Sequence, residues 1–141
     1  MSATDVSTLR LYLLRALYLM NFAFLAVNTW PALFAPAQPL GPLDGTAFSF
    51  WAALSTLCAL GLRYPLQMLP LLLLQLLYKL IWLLAVALPF STGGGADPLT
   101  AQMTKTFAGG AIADLIVIPW GYVLAYYVRK PGDRWKFRSA A

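Results

Sequence analysis

Apolar residues in this chain fall into four long runs separated by short polar or proline-rich stretches. The run Leu66 to Leu88, LQMLPLLLLQLLYKLIWLLAVAL, covers about 23 residues, where a bilayer-spanning helix needs about 20. The pattern predicts spans over Leu9 to Trp30, Thr46 to Leu62, Leu66 to Pro89 and Phe107 to Val128. In the first span Tyr18, Asn21, Leu25 and Asn28 share one face. In the second, Ser49, Ala52, Thr56 and Ala59 form a stripe of small residues that lets a neighbouring backbone come close. Prolines 31, 36, 39 and 42 mark the first connection as a loop, with Asp44 expected to cap the second helix. The connection Arg63-Tyr64-Pro65 is so short that spans two and three are expected to form an antiparallel hairpin. Pro65 suits the first turn of the third helix, Pro70 is placed to kink it, and Pro89 is expected to end it. The triplet Gly93-Gly94-Gly95 reads as a linker, because no strand precedes it and no Gly-Lys-Ser follows. Asp97-Pro98 reads as an N-cap and first helical residue.

Composition supports insertion in a membrane. The chain of 141 residues is 60% hydrophobic and 11% charged, whereas soluble domains carry about 25% charge. The expected fold is therefore all-α, a single four-span antiparallel bundle, with residues 129–141 as a basic interfacial tail. A signal peptide is the rival reading of the N-terminus, since Ala35-Pro36-Ala37 offers small residues after a basic start; two asparagines inside the apolar run argue against it. Basic residues settle the expected orientation. Arg10, Arg15, Arg63, Arg129, Lys130, Arg134, Lys136 and Arg138 collect on one side and only Lys105 on the other, which puts both termini in the cytoplasm. The tail residues Arg129, Lys130, Arg134, Trp135, Lys136 and Arg138 mix cations with aromatic rings. Directly after a span, this mixture fits lipid headgroups better than nucleic acid.

Candidate chemistry centres on Lys79, a full charge near the middle of the most apolar run. An ammonium there costs roughly 2.5–3.5 kcal/mol on insertion scales, so it needs a partner, water or a task. At about 1.5 Å per residue, Lys79, Asp114, Asn21 and Ser49 all lie about 18–21 Å from the cytoplasmic edge. We therefore expect an intramembrane Lys79–Asp114 ion pair, hydrogen-bonded by Asn21 and by Gln75 or Ser49. Two readings stand open: a structural clamp, or a site for a proton, ion or ligand. Asn21 and Asn28 are expected to bond between helices, Arg15 to reach the inner headgroups, and Cys58 to fill space. With no His, no Glu and one Cys, metal, haem and most catalytic constellations are excluded, and no cofactor is expected. A Ser–Lys dyad between Lys79 and Ser49 or Ser55 is chemically allowed, but no spacing favours it.

Two stretches, Arg63-Tyr-Pro-Leu-Gln-Met-Leu-Pro through Lys79-Leu-Ile-Trp to Pro89, and Val117-Ile-Pro-Trp-Gly-Tyr-Val with Pro131-Gly-Asp-Arg-Trp135, are similar to a family of small bacterial four-span membrane proteins of unknown activity. The resemblance covers about half the chain and implies the bacterial inner membrane. It also implies an acidic residue where Gln75 stands, so this chain lacks a carboxylate one turn before the lysine. The four-span layout is shared with other small families such as the DoxX-like proteins, although no motif selects them. Size, short loops and the small-residue stripe point to a non-enzymatic accessory subunit or scaffold in a larger complex or homo-oligomer. The alternative is a small-molecule, lipid or ion/proton binding or transport protein using Lys79 and Asp114.

Overall fold

A computed structural model describes residues 6–95 and 97–133. All regular structure among them is helical: α1 (Thr8–Phe34), α2 (Pro42–Arg63), α3 (Leu69–Trp82) continued through a π-helical turn (Leu83–Ala87) into α4 (Leu88–Thr92), then α5 (Pro98–Val117) and α6 (Trp120–Val123) running into a second π-helical turn (Leu124–Arg129). Three helices are long and apolar enough to cross a membrane: α1, α2 and the continuous stretch Leu69–Thr92. A fourth is added if α5 and Trp120–Arg129, bent by 73° at their junction, count as one span.

Helix ends differ from the sequence expectation in ways that proline chemistry explains. α1 runs through Pro31 to Phe34, because proline's fixed φ suits a helix and only one bond is lost near the end; Ala35 N–H closes the turn on the Pro31 carbonyl at 2.9 Å. α2 starts a turn earlier than expected. Gly41 is its N-cap, Pro42 its first residue, and Asp44 sits inside the first turn instead of capping it. Pro65 lies in the connecting turn, and Pro70, not Pro65, occupies the first turn of α3, where it causes no kink. Pro89 does not end the third span. The π turn falls where its ring would meet the Ala85 carbonyl, and the wider backbone lets the helix continue to Thr92.

Packing is pairwise. α1 lies along α2, α3 lies along α5, and α2 touches α3 only slightly, so the short turn after Arg63 does not produce the closely packed hairpin expected from its length. The α1–α2 seam uses Ala52, Ser55, Cys58 and Gly61, all buried; Ser49 and Thr56 of the expected stripe are exposed. The Tyr18 ring occupies the space where a side chain on Gly61 would begin, and its hydroxyl donates to the Pro65 carbonyl at 3.0 Å. Ser55 donates to the Phe22 carbonyl at 2.9 Å. Arg15 is half-buried, and its Nε donates to the Leu62 carbonyl at 3.0 Å, placing a cation on the C-terminal end of α2 where the helix dipole is negative. Tyr18 joins Leu14, Leu17, Leu69, Leu72, Leu76, Ile118 and Tyr122 in one apolar core.

Two predictions follow from these contacts. Gly61→Ala puts a methyl group into the Tyr18 ring and should destabilise the protein by about 1–3 kcal/mol, read as a lowered unfolding temperature in detergent. Asp97 caps α5, accepting from Thr100 N–H at 2.8 Å and from the Thr100 hydroxyl at 2.9 Å. The Thr100 backbone bond, then its hydroxyl, hold this carboxyl below its ordinary value. A lowered folded-state value means that the cap is fully present above the unfolded aspartate range and lost as pH falls through the lowered value. Amide exchange at Thr100, corrected for its intrinsic rate, should therefore rise only on acidification, and Asp97→Asn should flatten that rise.

Candidate functional site

The site is assembled by α3 and α5. α3 carries Gln75 and Lys79 four residues apart, one turn on the same face, and both are buried. α5 carries Gly110 and Asp114 at the same spacing, with Asp114 buried. Lys79 Nζ lies 2.9 Å from Asp114 Oδ2, and the two side chains are 8% and 0% exposed. Lys79 Nζ also donates to Gln75 Oε1 at 3.4 Å, and Gln75 Nε2 donates to Cys58 Sγ of α2 at 3.6 Å. A polar chain thus runs from α5 through α3 to α2 inside an apolar core. In such surroundings an ion pair is far stronger than in water, and either charge alone is far more costly.

Gly110 makes the close approach workable. A Cβ built there would stand 2.9 Å from Lys79 Nζ and 3.2 Å from its Cε, so the lysine lies against bare backbone. Sequence alone assigns Gly110 no role; the signal for one is its position one turn before Asp114, the only acidic residue of α5. At the neighbouring Gly109, a Cβ meets nothing within 4 Å. Outward from the pair, the rings of Phe50, Tyr78, Phe107 and Trp82 tie α2, α3 and α5 together. Tyr78 and Phe107 have centroids 5.6 Å apart, and Trp82 and Phe107 4.9 Å, both edge to face.

Other expected members stand apart. Asn21 is buried, but its Nδ2 has no hydrogen-bond partner and it does not join the pair. Asn28 is exposed and donates to the Phe24 carbonyl of its own helix at 2.7 Å, so neither asparagine bonds across helices through its amide nitrogen. Ser49 is exposed, because α2 turns a different face inward, and Ser55 spends its hydroxyl on Phe22; neither forms a dyad with Lys79. Asp114 Oδ1 is buried without a partner. Of the expected headgroup contacts, Arg129 and Lys130 are exposed, and Lys130 Nζ sits 4.3 Å above the Tyr126 ring centroid. Arg134, Trp135, Lys136 and Arg138 lie outside the described residues.

At Pro119, between α5 and α6, the chain turns in a full elbow, and two of the carbonyls freed there are taken up by side chains. Trp120 Nε1 donates to the Leu115 carbonyl at 2.8 Å, and Arg10 Nη2 of α1 donates to the Ile116 carbonyl at 3.3 Å. Comparison of the chain with family models, with curated proteins and with solved structures returned no match.

The two adjacent glycines give an internal control. Gly109→Ala should leave stability unchanged or raise it by up to about 1 kcal/mol, the usual gain in a helix interior. Gly110→Ala should lower it, because the displaced ammonium has no second partner of opposite charge. Thermal unfolding of the two variants side by side checks this difference.

Proposed function

We propose that this chain is a small bacterial inner-membrane protein of four antiparallel spans, with both termini cytoplasmic, serving as a non-enzymatic structural or accessory subunit. Its charged centre acts as a clamp that fixes α3 against α5. The observation that carries this reading is the Lys79–Asp114 contact of 2.9 Å between side chains 8% and 0% exposed, with the glycine at 110 leaving room for the ammonium. A pair so enclosed is suited to holding helices in register more than to exchanging a solute. The excess of Arg and Lys at one end supports the orientation. The resemblance of the Arg63–Pro89 and Pro131–Trp135 stretches supports the bacterial membrane. Phospholipids cover the apolar exterior, and the partner is a second copy or a larger membrane complex.

One observation favours a second reading. Asp114 Oδ1 is an acceptor buried without a partner, and a carboxylate oxygen in that state invites a proton or a donor ligand. In this reading, the same layer binds a proton, ion or small molecule.

A charge cycle separates the two. Under the clamp reading, Lys79→Met and Asp114→Asn each destabilise by about 3–5 kcal/mol, since each leaves an uncompensated buried polar group or charge, and the double variant recovers most of the loss. Under the ligand reading, the double variant is stable but loses a bound species. Native mass spectrometry after gentle extraction shows which applies. A reproducible protein partner retained by the double variant supports the accessory role, and a small molecule released by Asp114→Asn supports the binding role.

A further inference from the structure

We propose that Trp120–Arg129 is an in-plane foot, lying along the inner membrane surface and docking on anionic phospholipid headgroups instead of completing a straight span. This inference rests on the reading of the chain as membrane-inserted and adds to it a surface and a partner chemistry. Three observations carry it.

First, the elbow is built. The 73° bend occurs at Ile118–Pro119, and the carbonyls it frees at Leu115 and Ile116 are satisfied by Trp120 Nε1 and by Arg10 Nη2. An orphaned carbonyl in hydrocarbon costs several kcal/mol, so two dedicated donors mark the bend as a designed corner. Second, α5 has 20 residues, about 30 Å, so it matches the hydrocarbon core in length, although in apolar composition it qualifies as a span only together with Trp120–Arg129. Third, the segment is two-faced. Tyr122 and Val123 are buried in the core with Leu14, Leu69 and Leu72. Trp120, Leu124, Tyr127 and Val128 are exposed, and the segment ends in exposed Arg129 and Lys130.

Indole and phenol rings, an aliphatic edge and terminal cations are the chemistry of the headgroup layer, where rings sit at the interface and cations pair with phosphate. Charge complementarity selects an anionic lipid: Arg129 and Lys130 carry no acidic partner among the described residues, and each basic residue near such a surface contributes about fivefold to binding.

Oriented solid-state NMR of the full-length protein, in aligned bilayers containing phosphatidylglycerol, tests both parts. Amide dipolar couplings give the tilt of α5 and of Trp120–Arg129 separately. The expected result is α5 near the membrane normal, Trp120–Arg129 near the membrane plane, and phosphorus-dependent dephasing of the Arg129 and Lys130 side chains. Both segments near the normal would overturn the foot and leave the membrane reading intact. α1, α2 and α3 all lying in the plane would overturn both. The expected tilts without phosphorus dephasing would overturn the lipid assignment and hand that face to a protein, a second copy included.

Discussion

A full charge inside an apolar core is the constraint from which the rest of this structure follows. Lys79 is buried, and the fold brings it an anion at 2.9 Å, an amide oxygen one turn away on its own helix, and a glycine against which to lie. Each provision fixes a geometric relation. Asp114 sets the register of α5 on α3, Gln75 sets the lysine rotamer and reaches α2 through Cys58, and Gly110 sets how near the two helices come. The edge-to-face rings of Tyr78, Phe107 and Trp82 add a second, apolar contact between the same helices. Removing the charge from one side only would leave all these arrangements serving an unpaired group.

A second thread is the accounting of backbone groups, which is strict wherever water is absent. Most irregularities in the helices coincide with proline and are repaired locally, the π-helical turn Leu124–Arg129 being the exception. Pro31 is absorbed into a last turn, Pro89 is preceded by a widened turn, and Pro119 creates an elbow whose carbonyls accept from an indole and a guanidinium. Arg15 treats the end of α2 in the same way. Two basic residues of the first helix are thus used as donors to the ends and breaks of other helices. This ties α1, whose main packing is with α2, to the α5 elbow as well.

Much of the architecture is legible in the sequence, since the apolar runs and the prolines between them give the first three helical regions to within a few residues, whereas the fourth, expected over Phe107 to Val128, is α5 from Pro98 to Val117 followed by a bent segment. The Lys79–Asp114 pair is legible too, because two opposite charges in apolar runs at matching depth have few other partners. What resists reading is rotation about each helix axis. A count of depth puts Asn21 and Ser49 in the same layer, but it says nothing about which way α1 and α2 face. In fact α1 turns Tyr18 onto Gly61, and α2 turns Ser55 and Cys58 inward, leaving Ser49 outside. Loop length misled in a related way. A short turn fixes where two helices start, whereas side-chain fit fixes which pairs lie together, and the small residues of α2 fit α1. The 73° elbow was beyond the sequence signal, because Pro119 alone does not distinguish a shallow kink from a sharp corner.

The order of residues along α3 and α5 has a consequence for biogenesis. Lys79 and Asp114 are 35 positions apart, so synthesis of the chain delivers the ammonium before its carboxylate exists. In that interval its own helix offers the Gln75 amide, whose oxygen is in place as soon as one turn has formed. An uncharged amide there serves as a temporary host. It steadies the cation without neutralising it, and leaves its positive charge free to capture Asp114 when α5 arrives.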